Sequence, residues 1–121
     1  MKTGEEERIR ARNERRILRA ATDIFSRKGF DGTRIAEIAE HAELPKANVY
    51  YYFPSKEDIY RAVIRRLIEG WDRALEEIRA DREPEEALAA YVAAKIAYTR
   101  KNAAESRLFA NEIIRGARFL T

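Results

Sequence analysis

Lys46, Ala47 and Asn48 follow Pro45 directly, and three consecutive tyrosines, Tyr50, Tyr51 and Tyr52, come just behind them. A cation, a methyl group and a carboxamide side by side suit a nucleic-acid surface better than covalent catalysis. A lysine serves phosphate oxygens or guanine edges, an alanine permits close approach and touches a thymine methyl, and an asparagine pairs with adenine. Tyrosine hydroxyls donate to phosphates while the rings lie on sugar. Of the three, Tyr51 and Tyr52 are the two expected to face outward. Thr33 and Lys56 stand at expected helix N-termini, where free N–H groups and the helix dipole already favour an anion. Arg34, beside the expected cap, is a further cation for the same surface.

Other chemistries find little support. Cysteine is absent, so there is no thiol nucleophile and no thiolate metal site. The single histidine, His41, is expected at the surface. Ser26, Ser55 and Ser106 have no base at a suggestive spacing, and no glycine loop resembles a phosphate cradle. Neither an enzyme nor a metal or cofactor is expected.

Charge points the same way as the Lys46 segment. The net charge is only +3, but Arg8, Arg10, Arg12, Arg15, Arg16, Arg19, Arg27 and Lys28 are opposed over their span by Glu14 and Asp23 alone. A polyanion partner would use such a run, with Arg8, Arg10, Arg12 and Arg16 as an arm toward a phosphate or the minor groove. A solvated helix face would use it equally well. No stretch approaches the ~18 consecutive apolar residues of a membrane helix, and the N-terminus has no apolar signal core. No membrane partner is expected, and the expected location is cytoplasmic.

The elements that must position these residues are helices. Ile17, Leu18, Ala21, Ile24 and Phe25 make one stripe of a helix from about Arg8 to Lys28, ending at Gly29. Residues 1–8 are expected to form a flexible arm. Thr33 would cap a second helix carrying Ile35, Ile38, Ala39 and Ala42. Pro45 would open a third, short helix to Tyr52, with Val49 and Phe53 internal. Ser55 to Asp58 reads as a capping box before a long fourth helix, ~37 Å to Arg79, with Trp71, Leu75 and Ile78 on its inner face. Pro84 opens a fifth helix with Leu88, Tyr91, Val92 and Ile96 inward, and Asn102 to Glu105 would box a sixth carrying Leu108, Phe109 and Ile113. No alternating run survives. The expected fold is all-α.

Residues 33–53, TRIAEIAEHAELPKANVYYYF, have the spacing of a helix-turn-helix, with Glu43-Leu44 as the turn and Leu44 as its inward anchor. The longer run ILRAATDIFSRKGFDGTRIAEIAEHAELPKANVYYYFPSKEDIYRAVI, with its YYFPSKE, resembles the TetR family of transcriptional repressors over about residues 10–66. The segment SRLFANEIIRGARFL is similar to the middle helix of one group of these regulators.

The resemblance implies a helix-turn-helix DNA-binding domain at residues 9–54. A linking helix and a partial helical ligand-binding and dimerisation domain would occupy residues 55–121. It implies that Thr33, Lys46, Ala47, Asn48, Tyr50, Tyr51, Tyr52 and Lys56 meet a double-stranded, palindromic DNA operator. It also implies a homodimer released by a small-molecule effector, for which Trp71, Leu75, Leu88, Tyr91, Tyr98 and Phe109 would line a pocket. Two departures stand out. Glu43 replaces the glycine common in the turn, at ~1 kcal/mol for a left-handed glutamate. The chain is also shorter than family members usually are. A truncated DNA-binding module, or a helical protein–protein adaptor with no effector response, are the alternatives.

Overall fold

The computed structural model describes residues 3–76 and 83–119. They form α1 (Gly4–Lys28), α2 (Ile35–Ala42), α3 (Lys46–Tyr52), α4 (Lys56–Glu76), α5 (Pro84–Lys101) and α6 (Ala103–Ile114), with no strand among the described residues. The all-α expectation holds. Ile78 and Arg79, placed in the fourth helix from sequence, lie outside the described residues.

α1 starts four residues before its apolar stripe predicts. The Thr3 hydroxyl accepts the Glu6 N–H at 3.1 Å, and the Glu6 carboxylate accepts the Thr3 N–H at 3.3 Å. This reciprocal cap satisfies two otherwise orphaned donors, and Glu5, Glu6 and Glu7 complement the positive end of the dipole. The segment expected as a flexible arm is therefore helical from Gly4. At the other end Gly29 takes φ 77°, its N–H bonds to the Phe25 carbonyl at 2.8 Å, and Phe30 folds back into the core.

α2 begins at Ile35 because Glu37 reaches back to the Arg34 N–H at 3.3 Å. It ends on Glu43, which is left-handed (φ 58°, ψ 42°) as the missing glycine predicts. Arg16 of α1 donates to the carbonyls of Ala42 at 2.7 Å and Glu43 at 3.3 Å, so one helix closes the open end of another. Pro45 is the residue just before α3 rather than its first residue. Leu44 packs inward, as expected of the anchor.

One core joins these parts. Ile17, Ala21, Ile24 and Phe25 of α1 meet Ile38 of α2, Val49 of α3, and Ile59, Tyr60, Val63 and Ile64 of α4. Half of the box expected at Ser55 forms: its hydroxyl accepts the Asp58 N–H at 3.2 Å, but the Asp58 carboxylate accepts that hydroxyl at 2.8 Å in place of the Ser55 N–H. α6 crosses α1 and α4 and adds Leu108 to the same cluster. Its Glu112, only 2% exposed, accepts the Tyr60 hydroxyl at 2.7 Å and the Phe119 N–H at 2.7 Å. Burial, then the adjoining carboxylate, pushes the Tyr60 phenol well above its ordinary range.

α5 departs from expectation. Leu88, Tyr91, Val92 and Ile96, predicted to face inward, are exposed, Leu88 by 65%. The half-buried residues are instead Ala87, Ala90, Ala94 and Tyr98, one helical stripe of mostly small side chains. Small residues let α5 approach α4 closely, and an added Cβ at Gly70 would lie 1.8 Å from the Tyr98 hydroxyl oxygen. The box expected at Asn102 is not made. Its amide donates back to the Tyr98 carbonyl at 3.0 Å, finishing α5 rather than starting α6. α6 itself stops at Ile114, ahead of Gly116 and Ala117, both at positive φ.

Candidate nucleic-acid interface

α3 has one fully buried residue, Val49, and the rest of its position follows from that anchor. Lys46, Ala47 and Asn48 are all exposed. Tyr52, three residues beyond Val49, shares the inward face; it packs on the core and its hydroxyl accepts an Asn13 amide N–H at 3.2 Å. Tyr50 and Tyr51 fall on the other faces and are 44% and 70% exposed. The expectation that Tyr52 faces outward is thus corrected: Tyr50 takes its place. The Lys46 ammonium lies 5.9 Å from the Tyr50 ring centroid, the outer range of a cation–π contact.

Two further expected contacts are turned into the protein. Thr33 is 2% exposed; its hydroxyl donates to the Gly29 carbonyl at 2.7 Å and its N–H to the Phe30 carbonyl at 3.3 Å. Both donors are spent, so Thr33 holds the α1–α2 turn and does not cap α2. Its role as a side-chain phosphate contact is corrected. Lys56 is half-buried, donates to the Phe30 carbonyl at 2.8 Å and sits 4.2 Å over the Phe30 ring centroid. One of its three N–H donors is thereby committed to the joint between α1 and α4.

Arg34 is exposed at the start of α2. Glu37, in the first turn, ion-pairs with Lys28, and that hydrogen bond leads in holding its carboxyl below the usual range. The basic run of α1 divides in function. Arg16 is occupied by α2 carbonyls, while Arg10 bonds Glu14 at 3.3 Å and lies 5.9 Å and 5.6 Å from the Tyr51 and Tyr52 ring centroids. Periodicity alone gives no warning of the Arg10–tyrosine or Asn13–Tyr52 contacts, which depend on how α3 crosses α1. His41 is exposed and 3.3 Å from Asp23.

Of the six residues expected around an effector, Trp71, Tyr98 and Phe109 come together, while Leu88 and Tyr91 are exposed. Trp71 packs edge-on against Phe109, with centroids 4.7 Å apart, and against Tyr98 at 6.4 Å. Leu88 and Tyr91 point to solvent because α5 turns its small face inward. Leu75 lies outside the residues whose side chains are described. The Trp71 indole N–H and the Ser106 hydroxyl are buried and have no partner among the described residues. No described helix is long and apolar enough to cross a membrane.

Two short helices crossed over a left-handed turn, braced by α1 and followed by a long α4, define a helix-turn-helix protein. Comparison with known sequences narrows the class. The family described as bacterial regulatory proteins, tetR family, matches residues 17–63, and that of the YcdC-like protein C-terminal region matches residues 64–121. The chain belongs to the TetR family. It is 42% identical over 118 residues to the HTH-type transcriptional regulator RutR of Escherichia coli K12, covering 98% of this chain and 56% of that protein. It is 37% identical over 93 residues to the HTH-type transcriptional repressor NicS of Pseudomonas putida, covering 76% of this chain and 44% of that one. The chain thus spans about half the length of these relatives. Among solved structures, a TetR-like transcriptional regulator from Rhodococcus sp. RHA1 superposes with a TM-score of 0.82 at 27% identity, covering 87% of this chain and 58% of that one.

Proposed function

We propose that the chain acts as a sequence-specific DNA-binding regulator of transcription, a repressor that works as a homodimer in the cytoplasm and is released by a small molecule. The observation that carries this reading is the outward Lys46–Asn48 surface on a helix whose opposite side is pinned by Val49. Lys46 and the Tyr50 and Tyr51 hydroxyls fix the protein on phosphates, with Arg34 and the free donors of Lys56 at the edge. Ala47 and Asn48 meet base edges in the major groove. Residues 9–54 do the reading, and residues 55–121 carry dimerisation and effector response. The exposed apolar side chains of α5 are the natural surface for further protein to cover. NicS, by its name a repressor, and RutR, by its name a regulator, support the assignment.

In a dimer the two α3 helices must stand about one DNA turn apart, ~34–36 Å, to occupy successive grooves. An effector that binds a differently spaced state more tightly empties the operator. Selection of binding sites from random duplexes tests this directly. Enrichment of a palindrome with two half-sites is expected. Retention of random duplexes with no enriched sequence would favour an adaptor whose basic face meets an acidic partner.

A further inference from the structure

A cavity of about 400 Å³ lies between α1 and the layer formed by α4, α5 and α6. Five of its lining side chains are cations: Arg15 and Arg19 from α1, Arg66 and Arg73 from α4, and Lys101 from α5. Glu105 is the one acid. The spacings are those of single helix faces, four residues apart on α1 and seven on α4, so two basic stripes converge across the gap. None of the five makes an ion pair among the described residues, whereas Arg10, Arg16, Arg27 and Lys28, on other parts of α1, each pair with a carboxylate. Like charges held together in this way repel, and an anion between them removes the repulsion.

The neutral groups of the cavity fit the same ligand. Tyr98 brings a hydroxyl and Asn102 its second amide N–H to the wall, while the Thr22 hydroxyl is spent on the Leu18 carbonyl at 2.7 Å. Tyr98 reaches its place only because residue 70 is glycine. The volume falls within the ~300–1,000 Å³ of small-molecule sites. No residue of α2 or α3 lines it, so it is separate from the surface assigned to DNA.

We propose that this cavity binds a small organic polyanion, one carrying two or more carboxylate or phosphate groups. Guanidinium groups from two helices grip such groups in bidentate fashion, and Lys101 adds a point charge from a third. Because the ligand bridges α1 and α4, it ties the helix that braces the helix-turn-helix to the helix that leads away from it. The site does not depend on the DNA-binding assignment.

The test is calorimetric titration of the chain with citrate and, separately, with pyrophosphate, sodium chloride being adjusted to hold ionic strength constant. Saturable one-to-one binding is expected, and the preferred probe tells carboxylate from phosphate chemistry. Combined Arg19→Gln and Arg73→Gln substitution, both at exposed positions, weakens binding at least tenfold, with circular dichroism confirming unchanged helix. Lys101→Gln alone weakens it several-fold. Lys46→Ala leaves it unchanged while weakening DNA binding, which separates this site from the proposed function. Three outcomes would overturn the proposal: no saturation with either anion, equal binding by the double variant, or displacement of citrate by duplex DNA with a matching loss of duplex affinity in that variant.

Discussion

Lys46 and Asn48 sit two residues apart, and their truncation has different signatures. Lys46→Ala removes a phosphate contact, so affinity falls about equally for all sequences and the slope of log K against log salt drops by about 1. Asn48→Ala instead costs ~1–3 kcal/mol on the preferred site and relaxes choice at a single base position. Anisotropy titrations on matched and mismatched duplexes at several salt concentrations distinguish the two. Thr33→Val keeps the buried volume but leaves the Gly29 carbonyl without its partner, lowering stability by ~1 kcal/mol in a thermal or urea melt with no change in the salt slope. At this scale the sequence is legible where register is applied to it. Val49 as the inward residue places Tyr52 beside it, and Glu37 three residues after Arg34 marks Arg34, not Thr33, as the cap. The Thr3–Glu6 pair at the start of α1 has that same spacing. What was not legible, such as Arg16 on the Ala42 carbonyl or Lys56 on that of Phe30, depends on contacts 26 residues apart.

Between elements, the α2–α3 turn and the α4–α6 joint carry the sharpest consequences. Glu43→Gly relieves a left-handed side chain while keeping the backbone carbonyls that Arg16 uses, and raises stability by up to ~1 kcal/mol, read as a higher melting temperature. Tyr60→Phe deprives buried Glu112 of a donor and costs ~1–3 kcal/mol at neutral pH. The same bond gives an alkaline signature. Folding holds the Tyr60 phenol neutral past its ordinary value of 10.0, so its contribution is intact below that pH and is lost as pH rises beyond it. The melting temperature of the parent should therefore fall more steeply above about pH 10 than that of Tyr60→Phe. Turns and helix C-termini were legible here because glycine and proline mark them, whereas the starts or caps of α1, α2 and α6 departed from those expected. The facing of α5 was not. In a helix this rich in alanine, large residues set the apolar periodicity, yet close approach selects the small ones.

At the scale of the molecule, one core among the described residues joins α1, α2, α3, α4 and α6, with no buried residue from α5, so a disturbance in α4 or α6 has a route to α3. Gly70→Ala would ordinarily favour a helix by ~0.5–1 kcal/mol. Here the new methyl displaces the Tyr98 ring and loosens its contact with Trp71. Trp71 is the only tryptophan, so its emission reports that movement without interference; a shifted spectrum with little change in melting temperature is the expected result. α3 has a different dependence on the whole. It is seven residues long, well short of the ~12–15 that an isolated helix needs in water, and Val49 is its one fully buried residue. A peptide cut to this stretch would be a coil with no affinity worth measuring, and transplanting the stretch into another scaffold would carry over letters without their meaning.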